Sequence, residues 1–206
     1  MIRLCQPIYK KRDFIRMNKN ETLMKDIRER LSDFRYIHSL GVAESAGYLA
    51  EKYGCDKETA ITAGLAHDVL KELSAKEYLE FFEKENINLS AVEKSAPKLW
   101  HAMAGTRYLE KEYGFSEEII TAVRYHTTGR AGMGLLEKIL FIADFISADR
   151  NYNGVEDMRK RAEISLEYAM EEGLRFTIEE LARECKPIHP DTVACYNEIL
   201  VCLSQK

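Results

Sequence analysis

Little in this sequence interrupts a helix. Only four prolines are spread over 206 residues, and the apolar–polar alternation of a half-buried strand is nearly absent, which argues against a sheet-based domain. The five cysteines (Cys5, Cys55, Cys185, Cys195, Cys202) form no C-x-x-C pair and are odd in number. They exclude a disulfide framework and a zinc knuckle and read as scattered reduced thiols. No apolar run approaches the roughly 20 residues of a membrane span. The start, "MIRLCQPIYKKRDFIRMNKN", lacks the apolar stretch and cleavage site of a signal peptide, so a cytoplasmic protein with no membrane partner is expected. The net charge is −4 and no basic stripe interleaves with aromatics, so nucleic acid is not the expected partner. A mildly acidic chain can still hold a polyphosphate where metal ions and a few Arg or Lys are focused in one cleft.

What is present is helix. Apolar residues at 46% and charged residues at 31% describe a globular chain that buries a core rather than a disordered one. Residues 1–20 read as an N-terminal arm or start-site extension, and 21–206 as a single helical unit. A first helix is expected over "NKNETLMKDIRERLS". In "DFRYIHSLGVAESAGYLAEKYG" the residues Phe34, Ile37, Val42, Ala46, Leu49 and Ala50 keep helical spacing, and Gly54 is placed to stop the helix. Asp56 reads as the N-cap of "KETAITAGLAHDVLKEL". Ser74 with Glu77 matches a capping box opening "AKEYLEFFEKEN". "KLWHAMAGTRYLEKEYG" follows Pro97, and Ser116 caps "EEIITAVRYH". "LLEKILFIADFISAD" is apolar on most sides and is expected to be a buried central helix. A long amphipathic stretch in one or two pieces, the break "KPIHP" and a last helix close an all-α bundle of about nine helices.

The chemistry-bearing residues interrupt these helices. His67 and Asp68 are neighbours, about 100° apart around a helix, and Lys71 lies over the same face. A buried carboxylate needs a partner, and His with Asp suits a divalent zinc, iron or manganese ion. A core histidine bonded to its neighbour is the plain alternative. Asp144 breaks the most apolar run in the chain, where a charge needs strong compensation or a narrow solvent face. His38 shares a helical face with Val42, one turn after Arg35. His101 lies in "LWHAMAG", whose small residues allow close approach of a ligand or a second helix. His126 ends a helix before Thr127, Thr128 and Gly129, which could hold an anion; interaction with the helix dipole is its plainer role. Helices of a bundle can project such a set inward to one shared site.

The ordered set His38, His67-Asp68, His101, His126, Asp144 resembles the HD-domain metallophosphohydrolase superfamily. "RYIHSLGVAESA", "AGLAHDVLKE", "LWHAMAG", "AVRYHTTGRAGM" and "LEKILFIADFISADRNYNGVEDMRKRA" are similar to its YqeK-like branch over residues 30 to 200. That branch comprises symmetrical dinucleoside tetraphosphate hydrolases. The resemblance implies an HD-domain helical bundle in which His38, His67, Asp68 and Asp144 ligate one metal, iron by preference with manganese as substitute. Asp68 would bridge to a second ion, with His101 and His126 as that ion's ligands or as phosphate contacts. It makes Asp68, Lys71, His101 and His126 the catalytic group. Arg35, Lys71, Thr127, Arg150 and the segment around His189 would line the nucleotide together with His101 and His126. The stretch "FISADR" departs from the more usual Glu-Pro-Gly form before the arginine.

The implied reaction is hydrolysis of diadenosine tetraphosphate to two ADP. A bound metal lowers the pKa of its water towards about 7, and two metals roughly 3.5–4 Å apart can hold nucleophile and leaving oxygen together. Lys71, Arg35 and Arg150 would offset charge on the phosphoryl oxygens. The symmetry of cleavage rests on the resemblance. The ligand set equally permits an HD phosphohydrolase acting on a mononucleotide, a deoxynucleoside triphosphate, guanosine tetraphosphate or a cyclic dinucleotide, or a nucleotide-binding module without turnover. A homodimer is left open.

Overall fold

The computed structural model describes the backbone of residues 11–205 and the side chains of residues 20–205. Among the described residues there are eleven α-helices, one 3₁₀ turn and no strand. The helices are α1 (Lys11–Arg30), α2 (Asp33–Tyr53), α3 (Lys57–Ala66), α4 (Ala75–Lys84), α5 (Ala91–Lys94) and α6 (Trp100–Tyr113). Then follow α7 (Glu117–Tyr125), α8 (Leu135–Ile146), α9 (Val155–Ile164), α10 (Leu166–Arg183) and α11 (Pro190–Ser204). The all-α expectation holds, with more and shorter pieces than about nine. The first half of the expected arm lies outside the described residues, and helix α1 already begins at Lys11. None of the helices is long and apolar enough to cross a membrane.

The local signals act as their chemistry dictates. Asp56 accepts the backbone N–H of Thr59 at 2.8 Å and starts α3. Ser74 and Glu77 form a reciprocal capping box at the head of α4. Gly54 ends α2 at φ 79°, in the left-handed region that favours glycine. Ser116 stands at the N-cap of α7, but its hydroxyl makes no capping bond. The long amphipathic stretch splits at Ser165, which is extended and caps α10 by accepting from Tyr168 N–H at 3.0 Å.

Helix α8 is the axis of the bundle and packs against α2, α3, α7, α9 and α10. Its Leu136, Ile139, Leu140, Phe141 and Ile142 are buried, each contributing about 1.5–3 kcal/mol of gross stabilisation. Helices α2 and α3 meet most closely at Gly64, where an added Cβ would lie 2.5 Å from Ala43 Cα. On α2 the residues Val42, Ala46, Leu49 and Ala50 are buried as the spacing predicts. Phe34 and Ile37 are not: they are 66% and 58% exposed. Ile37 is flanked by Tyr36, which packs against the core, and by buried His38, so its own side of α2 points outward.

Helix α3 stops at Ala66 rather than running through "HDVLKEL". The carbonyl of Gly64 would receive the N–H of residue 68 in a continuing helix. Instead the Nδ1–H of His67 donates to it at 2.7 Å, and the chain leaves through tight turns, Val69 N–H to Ala66 O and Lys71 N–H to Asp68 O.

Candidate metal centre and adjoining cavity

Helix α7 ends in the same way. His126 is its C-cap, and its Nδ1 donates to the carbonyl of Val123 at 2.6 Å. In both histidines a backbone oxygen fixes the tautomer: Nδ1 must carry hydrogen, so Nε2 of the neutral ring is bare. His38, on α2, is held by a carboxylate instead, with Nδ1 2.8 Å from Asp149 Oδ2. Its Nε2 lies 3.0 Å from Asp144 Oδ1 on α8. His101, in the first turn of α6, places Nε2 3.1 Å from Nε2 of His126 and 3.2 Å from Asp68 Oδ1.

The structure therefore brings His38, His67, Asp68, His101, His126 and Asp144 together from α2, α6, α8 and the turns after α3 and α7. Ligand atoms converge within 4.8 Å in three overlapping groups: His38, His67 and Asp68; His67, His126 and Asp144; and Asp68, His101 and His126. His67 Nε2 and Asp68 Oδ1 are buried without a hydrogen-bond partner. A bare imidazole lone pair is costly in a dry interior, and Asp68 Oδ1 is offset there by ion-pair contacts with Lys71 and His101, each at 3.2 Å. The donor set, imidazole with carboxylate, fits a divalent transition metal, and the bare atoms point where that ion would sit.

Charge in the cluster is balanced by proximity. Burial pushes the Asp68 carboxyl up, but the imidazoles of His67, His126 and His101 outweigh it and hold Asp68 well below the usual range. Asp144 is likewise held well below that range: burial opposes this, while the contact with His38 and the charge of Arg150 prevail. Burial disfavours a proton on His67, yet Asp68 beside it and Asp144 raise its pKa. Burial lowers His126 and takes His101 well below the ordinary imidazole value. The centre thus favours added positive charge at His67 and disfavours it at His101 and His126.

Cations surround this acidic point. Lys71 Nζ lies 3.2 Å from Asp68 Oδ1 and 3.0 Å from His101 Nε2. Arg35 Nη1 is 3.6 Å from Asp68 Oδ2. Arg150 donates through Nε to the Asp144 carbonyl at 2.8 Å and through Nη2 to its carboxylate. A cavity of about 650 Å³ opens beside the cluster, lined there by Lys71, His101 and Arg150 and further out by Thr127, Thr128, Lys98, Leu181, Lys186 and His189. The hydroxyls of Thr127 and Thr128 are buried and unpaired. His189 stands 3.8 Å from Glu93, which also pairs with Arg124 at 2.9 Å. Arg35 does not line this cavity; it reaches the centre from the α2 side.

Sequence reasoning missed Asp149, Lys98 and Lys186. Asp149 falls in the stretch that departs from the Glu-Pro-Gly form, so resemblance could not point to it. Lys98 and Lys186 are exposed-type lysines far apart in sequence, and nothing local marks them.

The chain is similar to known proteins over most of its length. The HD domain family matches residues 35–149, the span from Arg35 on α2 to Asp149 after α8. The chain is 37% identical to the symmetrical bis(5'-nucleosyl)-tetraphosphatase of Bacillus subtilis (strain 168), over 88% of this chain and 97% of that one. It is also 37% identical to the protein of the same description from Halalkalibacterium halodurans, over 90% of this chain and 98% of the relative. A crystal structure from Clostridium acetobutylicum, described as a predicted HD superfamily hydrolase involved in NAD metabolism, superposes with a TM-score of 0.85 at 34% identity. It covers 91% of this chain and 98% of its own. The chain belongs to the HD-domain family, and within it to the group of the symmetrical bis(5'-nucleosyl)-tetraphosphatases.

Proposed function

We propose that this chain is a metal-dependent hydrolase that splits diadenosine tetraphosphate symmetrically into two ADP. The observation that carries the reading is the cavity of about 650 Å³ that opens directly onto the buried His/Asp cluster, with Lys71 and Arg150 in its wall. A long polyanion has room to lie there with one phosphoryl group against the centre. The relatives' shared description supports the tetraphosphate dinucleotide over the other nucleotides that HD enzymes can take.

His38, His67, Asp68 and Asp144 would hold a first divalent ion, iron by preference, and Asp68, His101 and His126 would hold a second. Such ions supply Lewis acidity and a water acidic enough to ionise near neutral pH. The chain's own residues do the rest. Lys71, ion-paired to Asp68, stays within reach of a phosphoryl oxygen and offsets its charge. Arg150 does the same from the far side of Asp144, while Arg35 pairs with Asp68 from α2 and offsets the charge of the centre itself. The hydroxyls of Thr127 and Thr128, unpaired in the bare protein, donate to phosphate oxygens. His189, tethered by Glu93, contacts the nucleoside end. On this reading the protein works in the cytoplasm.

The test is a product analysis. The full chain is purified without oxygen, supplied with ferrous iron or manganese, and given diadenosine tetraphosphate, with products separated by anion exchange. ADP as sole product is expected. ATP with AMP would refute symmetrical cleavage, and no product from the metal-loaded protein would refute the substrate. Asp68→Ala should remove metal and activity together.

A further inference from the structure

Gly41 follows His38 by three residues and shares its face of α2. The segment 147–150, which leaves the end of α8, packs against that face. A Cβ added to Gly41 would meet Asp149 Oδ1 at 3.2 Å, Ser147 Cβ at 3.6 Å and Ala148 N at 3.8 Å. The glycine is therefore a notch into which the Asp149 carboxylate fits. Its other oxygen, Oδ2, accepts from Nδ1 of His38 at 2.8 Å. The next residue, Arg150, grips Asp144, the group facing His38 on its Nε2 side. One short loop thus holds both members of the His38–Asp144 pair from behind.

The partner of His38 is unlike those of the other histidines. His67 and His126 give their Nδ1 hydrogens to neutral backbone carbonyls. His38 gives its hydrogen to a carboxylate, which both orients the ring and makes the opposite nitrogen a stronger donor. We propose that Asp149 is a positioning residue of the metal centre: it fixes the tautomer and raises the donor strength of His38, and Gly41 exists to admit it. This rests on the reading of the cluster as a metal site, but not on the identity of the substrate.

Metal affinity tests it. The full chain is stripped of metal and titrated with manganese, the free ion being followed by its magnetic resonance signal, and the melting temperature of the metal-free protein is recorded alongside. Asp149→Ala should weaken manganese binding about 10–100-fold with the metal-free melting temperature close to the parent's. Asp149→Asn keeps an accepting oxygen but loses the charge and should fall between. Gly41→Ala should weaken binding in the same direction by crowding the carboxylate, and with Asp149→Asn it carries the test should Asp149→Ala fail to fold. A purely structural tether predicts the reverse pattern, a lowered metal-free melting temperature with unchanged affinity, and that result overturns the proposal. So does affinity within twofold of the parent in all three variants. A parent chain that binds no manganese overturns the metal site and this inference together. Weakened binding in a protein that cleaves no dinucleotide upholds Asp149 and refutes only the substrate.

Discussion

Gly64 offers the sharpest test of how the fold serves the centre. It lies at the crossing of α2 and α3, where a Cβ would stand 2.5 Å from Ala43 Cα, 2.8 Å from Ala43 N and 3.1 Å from Val42 C. These are backbone atoms and cannot rotate away. Carbon pairs rest at about 3.5–4.0 Å, so Gly64→Ala must drive the helices apart by about 1 Å. Overpacking of this kind costs about 1–3 kcal/mol, which for a chain of this size lowers the melting temperature by about 2–12 °C. The functional cost should be larger. Helix α2 carries His38, and the Gly64 carbonyl itself holds the ring of His67. A shift of about 1 Å between these two ligands exceeds the roughly 0.2 Å tolerance of metal–ligand distances, and misplacement by about 1 Å can cost about 10²-fold in rate. Calorimetry, metal analysis and turnover on the same preparation read all three effects. A variant that melts with the parent and keeps its metal and rate would refute the claim that this helix crossing sets the ligand geometry.

Other outcomes follow from the same structure. Lys71→Met should keep the bound metal but lower kcat by about 10²–10³-fold, as loss of an oxyanion-stabilising cation does; an unchanged kcat would remove Lys71 from the reaction. A proton on His67 competes with a cation at Nε2, and Asp68 with Asp144 raise its pKa above the ordinary 6.5, so manganese affinity should rise as pH is taken from 6 to 9. By linkage, the stabilisation from charged His67 in the metal-free protein is complete below pH 6.5 and lost as pH rises through the raised value. The metal-free melting temperature should therefore fall over that window, and a flat profile in both measurements would count against the assignment. Among the described cysteines, Cys185 is exposed while burial pushes Cys195 up to about 11. Iodoacetamide at pH 8 should label Cys185 well before Cys195 in the folded protein, as peptide mapping would read.

Much of the bundle was legible from the sequence. Capping is local chemistry, so Asp56, Ser74 with Glu77, and Gly54 mark their helix ends without any partner. The apolar run of α8 announced a central helix because few positions on it could face water. The end of α3 was not legible. Its apolar spacing continues past Ala66, and only the bond from the His67 ring to the Gly64 carbonyl ends the helix there. Phe34 and Ile37 keep the right spacing yet stay exposed while Tyr36 and His38 beside them pack inward, and spacing carries no information on which side of a helix finds a partner.

By itself the sequence determined the residue types of the centre and their order along successive helices, because imidazoles and carboxylates set among apolar residues need a partner wherever they are buried. It determined the helices that carry them, because periodicity and caps depend on neighbours a few residues apart. Tertiary structure alone decided which nitrogen of His38, His67 and His126 is bare, through the carboxylate of Asp149 and the carbonyls of Gly64 and Val123. It alone joined Lys98 and Lys186 to the cavity and set Asp149 against Gly41. These contacts link residues distant in the chain, and their distances follow from how closely the helices pack.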